Sequence, residues 1–219
     1  VGIFSPDAIR KGAFDKFAED NTAKKGTTRV DEAFLHEIET WRSNLAHNIT
    51  LRNEKIKTES ALNYAVQMTI DRIIFLRICE DRGIEPGNQL LEMGQGKEIY
   101  SNLVELFHRA DLKYNSGLFH FKAETGNKNP VDTFTPDLII DDKVLKDIIK
   151  SLYYPCPFIF KEIPVEILGL VYEQFLGKVI RLTPGHQVKI EEKPEVRKAG
   201  GVYYTPRYIV DYIVANTVD

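Results

Sequence analysis

Gly200-Gly201-Val202-Tyr203-Tyr204-Thr205-Pro206 gathers residue types that can receive a ligand. Two glycines permit positive φ or a close approach to another group. Thr205 can cap a helix with its hydroxyl, and Pro206 suits the first helical position, where no N–H is missed. Ile209, Val210, Ile213, Val214 and Val218 then recur at helical spacing. A helix start carries unpaired N–H groups and a partial positive charge, which suits a carboxylate or a phosphate. Tyr203 and Tyr204, just ahead of it, can stack on a planar ring. From the residues alone the simpler account is a capped helix with two half-buried tyrosines, because short motifs recur by chance.

A second chemistry is metal-dependent cleavage. It needs carboxylates on a divalent ion and a lysine beside the attacking water. Asp137 with the Glu191-x-Lys193 triplet fits that pattern on paper, as does Asp141-x-Lys143. Asp141 is better placed to cap a helix, however, and Glu191 and Lys193 close a solvent-facing hairpin. Acid-x-Lys triplets are also common when 28% of residues are charged. A nuclease segment therefore stays the alternative. Cys79 and Cys156 share no motif spacing, and the five histidines show no metal-ligand spacing with them. The thiols read as reduced and partly buried in a cytosolic protein.

The Gly-Gly-Val-Tyr-Tyr-Thr-Pro run and its apolar helix, Lys198 to Asp219, resemble the cofactor-side motif of N6-adenine DNA methyltransferases. Three more stretches resemble, in order, the junction of nuclease and helical spacer, the helical domain itself, and the helix just before the methyltransferase domain of fused, type IIG-like restriction–modification enzymes. They are Phe34 to Asn53, Asp71 to Gly83 and Leu168 to Gly177; the second also resembles phage-exclusion adenine methyltransferases. The resemblance implies a connector that contributes one wall of an S-adenosylmethionine pocket. Tyr203, Tyr204, Thr205 and Pro206 would form that wall, with Thr205 as the polar contact. It implies a parent that acts on double-stranded DNA in the cytoplasm. Mg2+ is implied only if a nuclease domain lies upstream.

Methyl transfer to a flipped adenine also needs a glycine-rich cofactor loop and an Asn/Asp-Pro-Pro-aromatic motif. Neither occurs in residues 1–219. Both are expected beyond Asp219, so no catalytic residue is assigned here. The third reading is a helical docking module with no ligand of its own, which suits residues 1–160.

Composition constrains the partners. The chain has 219 residues, 43% of them apolar, enough to bury a core. Its net charge of −3 excludes a strongly basic nucleic-acid module, so DNA contacts must come from a local patch. Lys24, Lys25, Arg29, Lys55, Lys57, Arg197 and Lys198 are the candidates. No apolar run is long enough to span a membrane.

The positioning elements follow from periodicity. Ser5-Pro6-Asp7 starts a helix with Ile9, Ala13, Phe14 and Phe17 on its stripe. Val30, Phe34, Ile38, Trp41, Leu45 and Ile49 form a second stripe. A third helix begins at Thr58 or Ser60 and ends at Gly83, apolar nearly all round over Ile70–Cys79 and so central to a bundle. Arg77 with Glu80 and Asp81 reads as rim pairs on its surface. Pro86–Gly96 reads as a loop, Ile99–Ala110 as a helix, and Gly117–Phe121 as a strand or anchored loop. Helices capped by Asp141 and opened by Pro164 follow, then a hairpin around Thr183–His186.

The expected fold is mainly α: a multi-helix bundle with a short β-hairpin, leading into the first helix of a truncated α/β methyltransferase domain. The expected division is 1–160 connector, 161–197 helix and hairpin linker, and 198–219 start of the next domain. The last apolar helix lacks a partner layer, which reads as a fragment able to self-associate through it.

Overall fold

A computed structural model describes residues 30–114, 116–123, 130–156, 160–161, 163, 165–183, 188–193 and 207–217. The elements in order are α1 (Val30–Arg52), α2 (Glu59–Asp81), α3 (Gln89–Gln95), α4 (Ile99–Tyr114) and a 3-10 turn, Thr135–Asp137. Then come α5 (Asp142–Ser151), α6 (Val165–Leu176), β1 (Lys178–Leu182), β2 (Val188–Glu192) and α7 (Arg207–Thr217).

The stripe on α1 becomes the spine of the core. Phe34, Ile38, Trp41, Leu45 and Ile49 are all buried. Burying each such side chain stabilises by about 1.5–3 kcal/mol before conformational entropy is counted. This face packs on α2, α5 and α6, and α1 also meets β2. Phe34 stands edge-on to Trp41 and to Phe160, which joins the segment before α6 to the same core.

The second helix is central, as its all-round apolarity requires. Thr58 is its cap: the hydroxyl accepts from Ala61 N at 3.2 Å. Arg82 ends it, and Gly83 turns the chain away at φ 70°, a conformation that favours glycine. Thr58→Ala is expected to cost about 1 kcal/mol, seen as a lower urea midpoint with an unchanged slope.

Strands β1 and β2 pair antiparallel, from Lys178 opposite Glu192 to Leu182 opposite Val188, with Ile180 buried. The hairpin leans on α1 and α2. Asn63 of α2 clamps it in both directions: its amide donates to Ile180 O at 2.9 Å and its carbonyl accepts from Ile180 N at 2.8 Å.

Two expectations need correction. The stretch read as a loop contains α3, with Leu90 buried. Its seven residues are too few for a periodic signal, and tertiary contacts with α5 hold it. Asp141 stands at the cap position of α5, but its side chain makes no capping bond. Its carboxylate instead binds Asn48 at 2.7 Å and Arg52 at 2.9 Å, both on α1. The neighbouring Asp142 caps a different helix, accepting from Glu98 N and Ile99 N at the start of α4. Gly117–Phe121 is an anchored loop, with a single bridge between Ser116 and Phe119 and the Phe119 ring buried. The helix expected from Ser5 lies outside the described residues.

Candidate functional site

The start of α2, the end of α6 and the hairpin enclose a cleft of about 450 Å3. Arg42, Lys178, Arg181 and Lys193 line it together with Glu59, Ser60, Asn63, Tyr64 and Gln67 among others. Arg42 comes from α1 at a position where the stripe turns inward, and only 3% of it is exposed. One terminal nitrogen donates to Phe175 O at 2.9 Å and the other to Lys178 O at 2.7 Å. The guanidinium lies 4.6 Å over the Phe175 ring. Arg42 thus ties the C-terminus of α6 to the first residue of β1, and its positive charge suits that helix end. Its Nε is buried without a hydrogen-bond partner.

Around Arg42 the charges are mixed. Arg181 binds Glu59 at 2.7 Å, Lys178 pairs with Glu39, and Glu59 also accepts from Leu182 N. Arg181 is the leading cause that holds the Glu59 carboxyl below its usual range. Beneath them, Asp71 on α2 accepts from Gln67 at 2.8 Å and is hydrogen-bonded to the phenol of Tyr172 on α6. Burial pushes the Asp71 carboxyl up to about 6, although Gln67, Tyr172, Arg72 and Arg42 pull the other way. Burial also lowers the Arg42 guanidinium to about 10, with Glu39 and Asp71 offsetting part of that loss.

Two buried polar networks tie α2 to the rest of the core. In the first, Arg72 donates to Leu118 O, Thr135 Oγ1 and Asp132 at 2.9, 2.6 and 2.7 Å. The rings of Phe107, Phe119 and Phe121 surround the guanidinium. In the second, Arg77 pairs with Asp81 and, at 3.6 Å, with Glu80. It also donates to Leu152 O and lies 4.1 Å over Tyr153. Glu80 accepts from Leu90 N and from the Tyr153 phenol. The expectation of surface rim pairs is therefore wrong. Arg77 and Glu80 are buried because they lie on faces of α2 covered by Leu90, Leu152, Tyr153 and Phe160, away from the half-exposed stripe of Tyr64, Asp71, Phe75 and Ile78.

Tyr203, Tyr204, Thr205 and Pro206 lie outside the described residues. The helix after them is α7, which begins at Arg207. It leaves Ile209, Val210, Tyr212, Ile213 and Val214 exposed. Lys24, Lys25, Arg29, Arg197 and Lys198 also lie outside the described residues, whereas Lys55 and Lys57 are exposed in the α1–α2 loop. The nuclease candidates are dispersed. Asp137 is in the 3-10 turn, Asp141 is engaged by Arg52, and Glu191 sits on β2 with Lys189 at 2.9 Å. No group of three or more His, Cys, Asp or Glu able to hold a metal ion occurs among the described residues. Both cysteines are free thiols, Cys79 buried and Cys156 partly so.

The cationic cleft residues were missed as a group because they come from three distant segments. One signal was present: Arg42 falls on the buried face of α1, four residues after Ile38.

No protein-family profile and no solved structure matches the chain. Over 219 residues, 99% of the chain, it is 34% identical to the type II restriction enzyme and methyltransferase RM.Eco57I of Escherichia coli. The chain is related to this fused family. It spans 20% of that relative's length. The matched region takes in the helices and the hairpin described above. No described helix is long and apolar enough to cross a membrane.

Proposed function

We propose that this chain is the helical connector of a combined restriction–modification enzyme that methylates adenine N6 in a specific DNA sequence. The observation that supports it is similarity over nearly the whole chain to a protein that is both a restriction enzyme and a methyltransferase. Residues 1–160 serve as the connector, 161–197 as the link, and 198–219 as the start of the methyltransferase domain. The parent works on double-stranded DNA in the cytoplasm and uses S-adenosylmethionine. Mg2+ enters only if the parent carries a nuclease domain upstream.

Tyr203, Tyr204, Thr205 and Pro206 form one wall of the cofactor pocket. The chemistry of that set fits the group: two phenol rings can flank a planar base, and a hydroxyl at a helix start can meet its polar edge. The beginning of α7 directly after Pro206 supplies the helix start that this role needs. The cofactor supplies the methyl group; these residues bind and orient it. Chemistry requires further motifs outside this segment, so the 219-residue chain alone methylates nothing. The exposed apolar side chains of α7 pack against the rest of that domain in the parent and, in the isolated chain, against a second copy.

In the full-length parent, Tyr204→Ala and Thr205→Ala are each expected to weaken S-adenosylmethionine binding about ten-fold by calorimetry, about 1.4 kcal/mol. Duplex binding without cofactor should be unchanged. Unaltered cofactor affinity in both variants would remove the pocket wall from the proposal. Metal-dependent DNA cleavage by the 219-residue chain, abolished by Glu191→Ala, would install the nuclease reading instead.

A further inference from the structure

We propose that the cleft between the first turns of α2 and strand β1 binds phosphate, and that its ligand is the backbone of a DNA duplex. This rests on the reading above that DNA is the partner. Four cationic side chains line the cleft, Arg42, Lys178, Arg181 and Lys193, against Glu59 in its wall and Glu39 and Asp71 behind it, which leaves a small cationic excess. The whole chain carries a net charge of −3, so this concentration of positive charge is local rather than a product of composition. It supplies the patch that composition demands of a DNA-binding chain that is not basic overall.

Arg42 provides an independent observation. It is almost wholly buried, yet its Nε has no acceptor. Burial costs the guanidinium enough to lower it to about 10. Two carboxylates, Glu39 and Asp71, offset part of that cost. Both terminal nitrogens are already committed to Phe175 O and Lys178 O, so Arg42 acts on the cleft through its charge rather than by direct contact. Lys193 adds an ammonium with no ion-pair partner among the described residues. Lys178 and Arg181 are paired with Glu39 and Glu59, but these four side chains are all about a third exposed, so the pairs are weak enough to be shared with a phosphate.

The polar groups of the cleft favour a backbone over a base. Asn63 is committed to both sides of the Ile180 peptide, and Gln67 is committed to Asp71. Neither is left to read a donor–acceptor pattern. Apart from the hydroxyls of Ser60 and Tyr64, what remains is charge, which positions a duplex without specifying its sequence. The clamp by Arg42 and Asn63 fixes the hairpin, so the cationic side chains of β1 are held on a rigid support. The cleft would then set where the connector sits on DNA, while sequence is read elsewhere.

The test is anisotropy of a short fluorescein-labelled duplex with the 219-residue chain, without cofactor, over a salt series. Lys193→Glu touches no structural partner and should fold. It is expected to weaken binding about ten-fold and to reduce the salt slope by about one. Glu59→Gln should act in the opposite direction, tightening binding about three-fold, where a merely structural loss of the Arg181 pair would weaken it. Inorganic phosphate should compete no better than chloride at equal ionic strength.

The proposal is overturned if the wild-type chain binds no duplex, if Lys193→Glu binds like wild type, or if Glu59→Gln weakens binding. Strong competition by inorganic phosphate would assign the cleft to a free phosphate instead. None of these readouts involves S-adenosylmethionine, so failure here leaves the Tyr203–Pro206 reading standing, and failure of that reading leaves this one.

Discussion

Arg72→Ala is expected to destabilise the chain by about 3–5 kcal/mol, the range for breaking a buried ion pair from one side. Arg72 is 1% exposed and its partner Asp132 is nearly as buried. The carboxylate of Asp132 accepts from Phe134 N, Thr135 N, the Thr135 hydroxyl and Arg72. Burial alone would raise its pKa, but the Thr135 bonds and the Arg72 charge outweigh burial and hold it below the usual carboxylate range. Removal of Arg72 leaves that charge buried without its counterion. It also strips the guanidinium from three aromatic rings and leaves Leu118 O without its donor. The loop that carries Asp132 would lose its tie to α2, while Tyr100 would still hold Thr135 O at 2.7 Å.

A cycle separates these effects. Asp132→Ala should also destabilise strongly, but the double variant should cost clearly less than the two single costs combined, by about 1–3 kcal/mol. Urea unfolding followed through Trp41, the chain's single tryptophan, reads all three variants. Full additivity would mean that the aromatic cage, not the ion pair, carries the stability. The pH dependence has a definite sign. A carboxyl held low in the native state contributes stability above its unfolded pKa, lost as pH falls through the folded one. The Asp132 contribution should therefore begin to fall below about pH 4 and be lost as pH drops through its lower folded value.

That network shows where the sequence was readable and where it was not. Phe34, Ile38, Trp41, Leu45 and Ile49 announced the buried face of α1 through spacing alone, and they are buried. The apolar run Ile70–Cys79 announced the central helix. The hairpin was visible because two short alternating runs flank Thr183-Pro184-Gly185-His186. Charged residues inside the central helix were harder. Arg72, Arg77 and Glu80 look like a solvated face when read pairwise at helical spacing. The deciding fact is that the half-exposed stripe of this helix is occupied by Tyr64, Asp71, Phe75 and Ile78, so Arg72, Arg77 and Glu80 face inward and find partners from other segments. Those partners, Asp132, Leu118 O, Leu152 O and Tyr153, are 46 to 76 positions away and no local pattern connects them. Asp141 failed for a similar reason: α1 offers it an arginine and an amide, which outcompete a cap on its own helix. The cleft is assembled from α1, α2 and the hairpin, so its cations share one surface only after folding.

Asp71→Asn is expected to stabilise the chain at pH 7 by up to about 3 kcal/mol, because the native state holds this carboxyl about two pH units above its unfolded value. The shift already includes every partner of the charge: Gln67, Tyr172, Arg72 and Arg42 all favour the ionised form, yet burial outweighs them. The sign follows from proton uptake. Below about pH 4 the carboxyl is protonated in both states and contributes nothing. Between about pH 4 and 6 the unfolded chain ionises while the native state still holds its proton, so stability falls as pH rises. Above about pH 6 the deficit is constant.

This window lies above that of Asp132, whose contribution has the opposite sign. The wild-type profile should therefore rise out of acid and then decline toward pH 6, and Asp71→Asn should remove only the decline. A decline that persists in the variant would mean that another group causes it. The same substitution bears on the cleft. Arg42 loses one of the two carboxylates that offset its burial, so its field in the cleft strengthens. If the cleft holds a DNA backbone, Asp71→Asn should bind duplex more tightly while also being more stable. In that case a buried acid that costs stability and weakens an anion site favours release of the duplex. Asp71→Asn should then slow duplex dissociation in stopped-flow displacement, and an unchanged dissociation rate would leave the acid with no role in binding.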